Sequence, residues 1–301
     1  MGKSAAEQAD HHARGPAGAH GVQSVARALA VLRVVAASQD AGVRLVDICR
    51  MTALPRPTVH RLLQVLVEET AVEQDGTTRR YCAGAELSLL GLARHVRLPV
   101  RSAADGCLRS LAERIGDTVF LSIRHGCDSV CVERVLGSHP IQILAIGVGA
   151  RRPLGASVSG TVLLAALPPD EAAGVTQHNA ERLALAGRSV VQVLQLVHEA
   201  RERKFAYSDK GLIPGTAALA APVRDADGQV AAAISVAAVA DRLGPKRLPF
   251  VVEEMRQHAA QVTRRLTELR RFEVERKKRA VSRAAPASRR GLTSAPSSSP
   301  R

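Results

Sequence analysis

Five polar side chains recur within a short stretch of the sequence, and their types suit contacts to nucleic acid. They are Arg56, Thr58, His60, Arg61 and Gln64. Arginine can bond the edge of guanine or a phosphate, glutamine can bond adenine, and hydroxyl and imidazole groups can bond bases or phosphates. If one short helix carries all five on its polar side, it presents the set that a DNA-reading helix offers to the major groove.

The segment from Leu45 to Leu66 predicts such a helix and another before it. Leu45, Ile48 and Met51 recur at three-residue steps, which places them along one side of a short helix. A proline-containing turn ends that helix, whereas Pro57 suits the first turn of the next one. The second helix keeps an apolar side at Val59, Leu62, Leu63 and Leu66. The alternative is an ordinary amphipathic helix whose polar side is only solvated.

The residues on both sides of this helix pair complete a larger pattern. Upstream, Ser24 is a candidate N-cap, and apolar residues recur at helical spacing as far as about Ser38. Downstream, two short strands flank a turn that begins with Asp75, and the second strand starts at Arg79 and Arg80. These arginines could follow a phosphate backbone or enter the minor groove. Three helices and a basic hairpin predict a winged helix-turn-helix domain that binds double-stranded DNA.

The composition fits a chain of two folded domains with charged ends. Its 301 residues are 46% hydrophobic, which is enough for real cores, and its formal net charge is +14. Residues 270–301 hold ten Lys and Arg against two Glu, so the charge alone does not establish DNA binding by the helix pair. We expect residues 1–21 and the chain beyond about residue 275 to be disordered. The basic tail could add non-specific DNA affinity or only aid solubility.

Nothing in the sequence indicates a membrane, a metal or a cofactor. No apolar run approaches the roughly 20 residues that cross a bilayer, and the N-terminus lacks the apolar core of a signal peptide. We therefore expect a cytoplasmic protein. A flexible polar arm explains His11, His12 and His20 without a metal. We expect the five cysteines to be reduced, buried thiols, although a redox sensor is an open alternative. They are Cys49, Cys82, Cys107, Cys127 and Cys131.

Residues 101–269 have the pattern of a mixed domain of helices and strands. Predicted helices cover 102–115, about 159–167, 188–204 and about 247–271, and predicted strands cover 117–124, 129–136, 141–148, 205–208, 217–224 and 230–239. The turn from Asp225 to Gly228 is a strong hairpin signal between the last two strands. Strands grouped in hairpins, with helices grouped between them, predict an α+β domain with an antiparallel sheet rather than a doubly wound one.

Both halves of the chain resemble one known family. The run LPRPTVHRLLQVLVEE, followed by a wing ending RRYCAG, resembles the N-terminal domain of the IclR family of bacterial transcription regulators. Residues 149–154 with 157–165, then 215–223, then 225–236 resemble its C-terminal domain. The resemblance covers roughly residues 22–268 in order and spacing as well as in motif. It implies a GAF-like (profilin-like) domain that binds an effector and mediates oligomerisation.

The resemblance also suggests a division of the chain. We expect a disordered arm at 1–21, the DNA-binding domain at 22–84, a linker helix within 85–100, the effector domain at 101–272 and a disordered tail at 273–301. The linker helix would run from Glu86 to Val96. Its apolar edge, at Leu87, Leu90 and Ala93 or Arg94, could pair with a second subunit or pack on its own chain. A homodimer and a homotetramer are both compatible with this pattern.

The expected effector site lies where a helix begins at Ser159-Gly160-Thr161. The free amides and the positive dipole end of such a helix attract an anion such as a carboxylate. Ser157 and Ser159 add hydroxyls without bulk, although they could both be simple helix caps. The other candidate lining residues are Ser235 as a second wall, Leu144 and Ile146 as apolar contacts, and Ala218.

Three positions depart from the pattern of the family. Gly155 stands where the family usually has His, Thr161 where it has Lys, and Ala218 where it often has Cys. Small side chains thus replace polar or reactive ones, so the pocket could be larger, less charged or unresponsive to the usual small acids. Four Phe, two Tyr and no Trp in the chain argue against an aromatic cage.

These observations predict a DNA-binding transcription regulator, a repressor, whose operator affinity changes when a small organic acid binds. An enzyme is the first alternative, but residues 155–159 fail the GxSxG pattern because the last one is serine. A catalytic dyad could be assembled from Cys131 and either His125 or His139, but the sequence places no third group that would orient it. An architectural DNA-binding protein is the second alternative, and it leaves the whole second domain without a role.

Overall fold

The computed structural model describes residues 17–38, 41–92, 99–144 and 146–284. Three helices and a hairpin form the N-terminal unit. They are α1 (Ala17–Ala37), α2 (Leu45–Thr52), α3 (Arg56–Glu68), β1 (Val72–Gln74) and β2 (Tyr81–Ala83). The predicted winged helix-turn-helix is confirmed in this order of elements.

A small apolar core holds the three helices and the wing together. Val31 of α1, Ile48 of α2 and Leu63 of α3 are buried against one another and against Val72 and Tyr81 of the two strands. The period of the apolar residues in α2 and α3 therefore corresponds to a real interior, and the polar sides of both helices remain outside. The amphipathic pattern alone could not show which neighbours cover the apolar side.

The turn between α2 and α3 has a defined backbone geometry. The Thr52 hydroxyl donates to the Ile48 carbonyl at 2.7 Å, which helps satisfy the last turn of α2. Ala53 follows with φ 55°, in the left-handed region that reverses the chain. Pro57 then lies in the first turn of α3, where no amide donor is needed.

Helix α1 begins earlier than the sequence predicted. Its first residue is Ala17, so residues 17–21 are helical rather than part of a disordered arm. Residues 17–21 are Ala-Gly-Ala-His-Gly, and the two glycines disfavour a helix, so propensity does not predict this extension. Packing further along forms the helix nucleus, after which each added residue adds a hydrogen bond. The predicted arm at residues 1–16 lies outside the described residues.

The second unit combines one sheet with helices on both of its faces. Its helices are α5 (Pro99–Ile115), α6 (Val158–Ala165), α7 (Pro169–His178), α8 (Ala180–Leu185), α9 (Val190–Arg203) and α10 (Leu248–Ala284), with a short 3-10 helix at Ala240–Leu243. Its strands are β3 (Thr118–His125), β4 (Asp128–Val135), β5 (Arg151–Pro153), β6 (Ala206–Ser208), β7 (Thr216–Arg224) and β8 (Val230–Val239). Between the units lies α4 (Ala85–Leu92), and the rest of the predicted linker helix, residues 93–96, lies outside the described residues.

All neighbouring strands of the sheet pair antiparallel, in the order β5-β4-β3-β8-β7-β6. Alternate residues of β8 face opposite sides of the sheet. Ile234 and Val236 pack toward α5 and α10, whereas Ala233 packs toward α6 and α9. The predicted α+β class with an antiparallel sheet is therefore confirmed.

The predicted strand at 141–148 is wrong. This segment has no strand among its described residues, and a short strand, β5, lies after it instead. Pro140 and two glycines interrupt the chain there, and the segment is held by side chains rather than by a ladder. The Thr118 hydroxyl, for example, accepts from the Ile143 amide at 3.2 Å.

Two unpredicted helices and two shifted helix boundaries also differ from the sequence expectation. Helices α7 and α8 were not predicted, since their apolar period is weak over so few residues. Helix α5 begins at Pro99, inside the predicted linker region. Helix α10 continues to Ala284, so residues 273–284 are helical where a disordered tail was predicted. Glutamate and arginine are good helix formers, which explains the continuation.

Candidate functional site

The polar residues of α3 lie on the side of the helix that its core does not use. Arg56, His60, Arg61 and Gln64 are exposed and Thr58 is half-buried. Val59 and Leu63, between them in sequence, are fully buried. Within the described part of the chain, none of the five polar side chains has a hydrogen bond or ion pair. All five are therefore available to an external partner.

The tip of the wing is fixed by one carboxylate. Asp75 Oδ1 accepts hydrogen bonds from the Thr77 amide at 3.1 Å, the Thr78 amide at 2.5 Å and the Thr78 hydroxyl at 2.7 Å. These bonds, above all the one from the Thr78 amide, lower the pKa of Asp75. The turn is thus ordered before any partner binds, although it is fully exposed.

The two arginines of the wing have different roles in the structure. Arg80 Nη1 donates to the carbonyl oxygens of Ala41 and Gly42, at 3.2 and 2.9 Å. Its guanidinium therefore joins the wing to the loop before α2. Arg79 is exposed, and its side chain has no such bond among the described residues. Of the pair predicted to contact DNA, Arg79 is the one that the fold leaves available.

A cavity of about 520 Å³, including its open mouth, lies in the second unit between the sheet, the start of α6 and three loops. Its walls are mostly apolar, with a few polar groups. The lining residues are Phe120, Ile143, Ile146, Ala156, Ser157, Val158, Ser159, Arg188, Ser208, Lys210, Gly211, Leu212, Thr216, Ala218, Ser235, Val236 and Ala237. A mostly apolar lining with a few polar groups is typical of a site for a small molecule.

Two serines that are far apart in sequence meet in this cavity. Ser159 Oγ donates to Ser235 Oγ at 2.9 Å, and both side chains are almost completely buried. Ser157 is also a helix cap, since its Oγ accepts from the Gly160 amide at 3.2 Å. Ser157 therefore both caps α6 and lines the cavity.

The structure brings together most, not all, of the residues predicted for the effector site. Ile146, Ser157, Ser159, Ala218 and Ser235 line the cavity. Leu144 is exposed and lies outside the lining, because the loop that carries it is not the predicted strand. Gly160 also lies outside it, and its amide is already bonded by the cap. Fewer free amide groups are therefore available at the start of α6 than the sequence suggested.

Two cationic side chains of the cavity were not predicted from the sequence. Arg188 lies in the loop between α8 and α9, and Lys210 lies after β6. Burial lowers the pKa of Arg188. No carboxylate is among the lining residues, so both positive charges face an otherwise neutral cavity. Both residues lie in loops, where no hydrophobic period marks the side that faces the interior.

The three departures from the family pattern have different structural settings. Gly155 has φ +94°, and a Cβ there would lie 2.6 Å from Val193 Cγ1, so it packs against α9 rather than opening the cavity. The Thr161 hydroxyl donates to the Ser157 carbonyl at 3.1 Å and does not line this cavity. Only Ala218 is a lining residue. Phe120 is the single aromatic residue in the lining.

The residues considered for catalysis, Cys131, His125 and His139, are engaged in other ways, and His11 and His12 lie outside the described residues. Burial raises the pKa of Cys131 to about 11, which keeps the thiol protonated. His139 Nδ1 is engaged with the backbone of Ile141, and His125 Nδ1 lies 3.3 Å from Arg151. Within the described ranges, no three His, Cys, Asp or Glu residues form a group that could hold a metal ion. No helix in those ranges is long and apolar enough to cross a membrane.

Comparisons with known proteins match two separate parts of the chain. Residues 24–76 match the model of the IclR helix-turn-helix domain, and residues 93–264 match the model described as bacterial transcriptional regulator IclR C-terminal. The glycerol operon regulatory protein of Streptomyces coelicolor is 31% identical over 82% of this chain and 98% of its own. The transcriptional repressor IclR of Escherichia coli is 26% identical over 75% of this chain and 84% of its own.

Solved structures show the same fold. A putative transcriptional regulator from Rhodococcus sp. RHA1 is similar with a TM-score of 0.59 and 28% identity, over 81% of this chain and 98% of that one. An IclR homologue from Microbacterium hydrocarbonoxydans, complexed with 4-hydroxybenzoate, has a TM-score of 0.61 and 22% identity over 81% and 98%. From its winged helix-turn-helix and these matches, the chain belongs to the IclR family of bacterial transcription regulators.

Proposed function

We propose that this protein is a repressor that binds a near-palindromic operator and changes its affinity when a small organic acid occupies the cavity. The observation that carries the proposal is the joint presence of an unbonded polar face on α3 and a formed cavity in the second unit. An architectural DNA-binding protein would need the first feature alone. An enzyme would need the second alone.

The DNA contacts proposed for α3 are Arg56, Thr58, His60, Arg61 and Gln64. The exposed position of all but Thr58, and the absence of internal bonds to their side chains in the described ranges, support this assignment. We assign Arg79 to the phosphate backbone beside the wing. Arg80 acts mainly by positioning the wing, given its bonds to Ala41 and Gly42.

A homodimer or a homotetramer is part of the proposal. Helix α1 exposes Val22, Val25 and Leu29, and α4 exposes Leu89 and Leu90 and has no buried residue. A second copy of the chain could cover these apolar side chains, which a monomer would leave in water. Two recognition helices held in one dimer can bind two half-sites together, so a small change in their spacing alters affinity.

The sign of regulation is inferred from relatives. Two of them carry the word repressor in their names: IclR of Escherichia coli and AllR of Klebsiella pneumoniae, the latter 29% identical over 82% of this chain. The organic-acid effector is supported by the positive charges of Arg188 and Lys210 beside the cavity. For a first trial, 4-hydroxybenzoate is a reasonable acid, since a protein of the same fold was crystallised with it.

The experiment starts with selection of binding sequences from random double-stranded DNA by the full-length protein. We expect a near-palindromic site bound at least a thousandfold more tightly than unselected DNA, as for other specific regulators. Fluorescence anisotropy then measures the affinity for that site with and without a panel of small organic acids. Equal affinity for selected and random DNA would favour the architectural alternative. Turnover of ester or amide substrates would favour an enzyme.

A further inference from the structure

Arg188 is held in place by the backbone on both of its sides. Its amide donates to the Leu183 carbonyl at 2.9 Å. The next residue, Ser189, begins α9 with a capping box, in which its hydroxyl accepts from the Gln192 amide and its own amide donates to the Gln192 side chain. The loop therefore presents the guanidinium from a fixed base. Such preorganisation favours ligand binding, because less freedom is lost.

The Arg188 guanidinium is half-buried without an acceptor in the part of the chain that the structure describes. Other half-buried arginines here do have acceptors: Arg242 and Arg247 both bond Asp117, and Arg201 bonds the carbonyls at the end of α6. Removing a charge from water is costly unless a partner compensates it. An anion that enters the cavity and pairs with Arg188 would therefore compensate this buried charge and bind favourably.

The position of Arg188 relative to the cavities adds to this argument. It lines the main cavity and also a smaller adjacent pocket of about 330 Å³, which shares Val158 and Ser208 with the first. Lys210 is a second cation of the main lining and is exposed. A carboxylate at Arg188 would meet a planar fork of donors, which binds two carboxylate oxygens at once.

The more deeply buried part of the cavity offers a different kind of contact. Ser159 and Ser235 share one hydrogen bond, which uses one of their two hydroxyl protons. The second proton is free to bond an acceptor atom of a ligand. Apolar side chains form much of the remaining wall, among them Phe120, Ile143 and Leu212.

We propose that Arg188 recognises the carboxylate of the effector, and that the effector is an acid with an apolar body and a further oxygen atom that bonds the Ser159–Ser235 pair. A hydroxylated aromatic or alicyclic acid has these features. The inference rests on the proposed function and gives it a substrate class and a specificity-determining residue. It places the anion at the α8–α9 loop and not at the amide end of α6, whose Gly160 amide is occupied.

The test compares acids with their uncharged amides on the full-length protein. The probes are benzoate, 4-hydroxybenzoate and 4-hydroxycyclohexanecarboxylate with their primary amides, and binding is measured by calorimetry and by the shift in melting temperature. We expect the wild type to bind 4-hydroxybenzoate at least tenfold more tightly than its amide and more tightly than benzoate. Arg188→Gln should bind acid and amide within about twofold of each other. Arg188→Lys should keep a reduced preference for the acid.

Arg182→Gln is the matched control. Arg182 lies nearby on α8, pairs with Asp128 at 2.7 Å and does not line the cavity. This variant should keep the preference of the wild type for acid over amide. The melting temperature of each variant without ligand shows whether it is folded, and Arg188→Lys keeps the test usable if Arg188→Gln is not.

Three results would overturn the inference. The first is an Arg188→Gln variant with the full preference for acids. The second is a wild type that binds amides as tightly as acids, and the third is a wild type that binds none of the probes. None of these results would contradict the proposed operator binding, because binding of the protein to the selected DNA site is measured in a separate experiment. Absence of any selected site would instead reject the proposed function, even if Arg188 read the acid as expected.

Discussion

Ser159 donates a 2.9 Å hydrogen bond to Ser235 and thereby connects the start of α6 to the middle of β8. The two residues are 76 positions apart in sequence, and both are buried at the cavity. Ser235 faces Phe120 across β3 and Ala220 across β7, so it lies on a central strand of the sheet. The pair is a polar contact inside an otherwise apolar wall.

Ser235→Ala should weaken both the fold and the ligand site. The change leaves the Ser159 hydroxyl without its acceptor, which costs about 1 kcal/mol of unfolding free energy. Binding of 4-hydroxybenzoate should weaken more than binding of benzoate, since only the former has an oxygen for the pair. Isothermal calorimetry measures both affinities. Ser208→Ala, which alters a lining serine outside the pair, should weaken the two acids equally.

Arg61→Ala should lower operator affinity without changing stability. Arg61 is exposed, and the loss of a bidentate base contact costs about 1–3 kcal/mol of binding free energy. Anisotropy titrations against the selected site and thermal unfolding test the two parts. Arg109→Ala, an exposed arginine of the second unit paired with Asp105, should change neither. Operator binding as tight as that of the wild type would remove Arg61 from the recognition face.

Arg79→Ala and Arg80→Ala should differ from each other. The Arg79 side chain has no hydrogen bond or ion pair in the described structure. Its loss should therefore weaken operator binding and reduce the slope of log affinity on log salt by about 1, as for a phosphate contact. Arg80→Ala should also lower the melting temperature of the DNA-binding unit, because its bonds to Ala41 and Gly42 are lost. Identical melting temperatures for the two variants would contradict a structural role for Arg80.

Asp117→Asn should destabilise the second unit by about 3 kcal/mol, because it breaks a buried charge cluster. The Asp117 side chain is 1% exposed and bonds Arg242 and Arg247, both at 2.7 Å. Urea denaturation followed by circular dichroism measures the loss. Asp105→Asn is the control, since both members of its pair with Arg109 are exposed, and its effect on stability should be much smaller than that of Asp117→Asn.

Glu254 should make stability depend on pH in the acid range. Its hydrogen bonds from Arg114, one of 2.6 Å, lower the pKa of the carboxyl below its ordinary value of 4.5. A lowered pKa in the folded state means that the contribution is present above pH 4.5 and is lost as the pH falls through the folded value. Glu254→Gln should therefore be less stable than the wild type at pH 5.5, and the difference should shrink toward pH 3.

The measurement is the free energy of unfolding of both proteins between pH 3 and pH 5.5. A difference between wild type and Glu254→Gln that grows as the pH falls would have the wrong sign for a lowered pKa.

Gly155→Ala should be destabilising because of its position against α9. With φ at +94°, any side chain is strained, and the new Cβ would lie 2.6 Å from Val193 Cγ1. The cost should be about 1–3 kcal/mol. In a Val193→Ala background, which removes the clashing methyl groups, the same change should cost less. Equal costs in both backgrounds would show that backbone strain alone acts.

The sequence was sufficient for features that depend on local repetition. The apolar periods of α2 and α3, the turn signal at Asp75 and the hairpin at residues 225–228 each involve neighbours in the chain, so the winged helix and the β7–β8 pair could be predicted. The strand predicted at 141–148 was wrong because that prediction also used only the local pattern. In the structure the Ile143 amide is bonded by the Thr118 hydroxyl and Ile141 is exposed, and no local pattern shows either.

The sequence by itself determined that a winged helix-turn-helix, whose third helix has one polar side, is followed by an antiparallel α+β domain. Only the tertiary structure decided which side chains meet at the cavity and which arginines remain available. Arg188 lies in a loop and reaches the cavity through the packing of α8, α9 and the sheet, whereas Arg80 is engaged by carbonyls about 40 residues upstream. Contacts between distant segments depend on the whole core, and the spacing of residues in one segment carries no information about them.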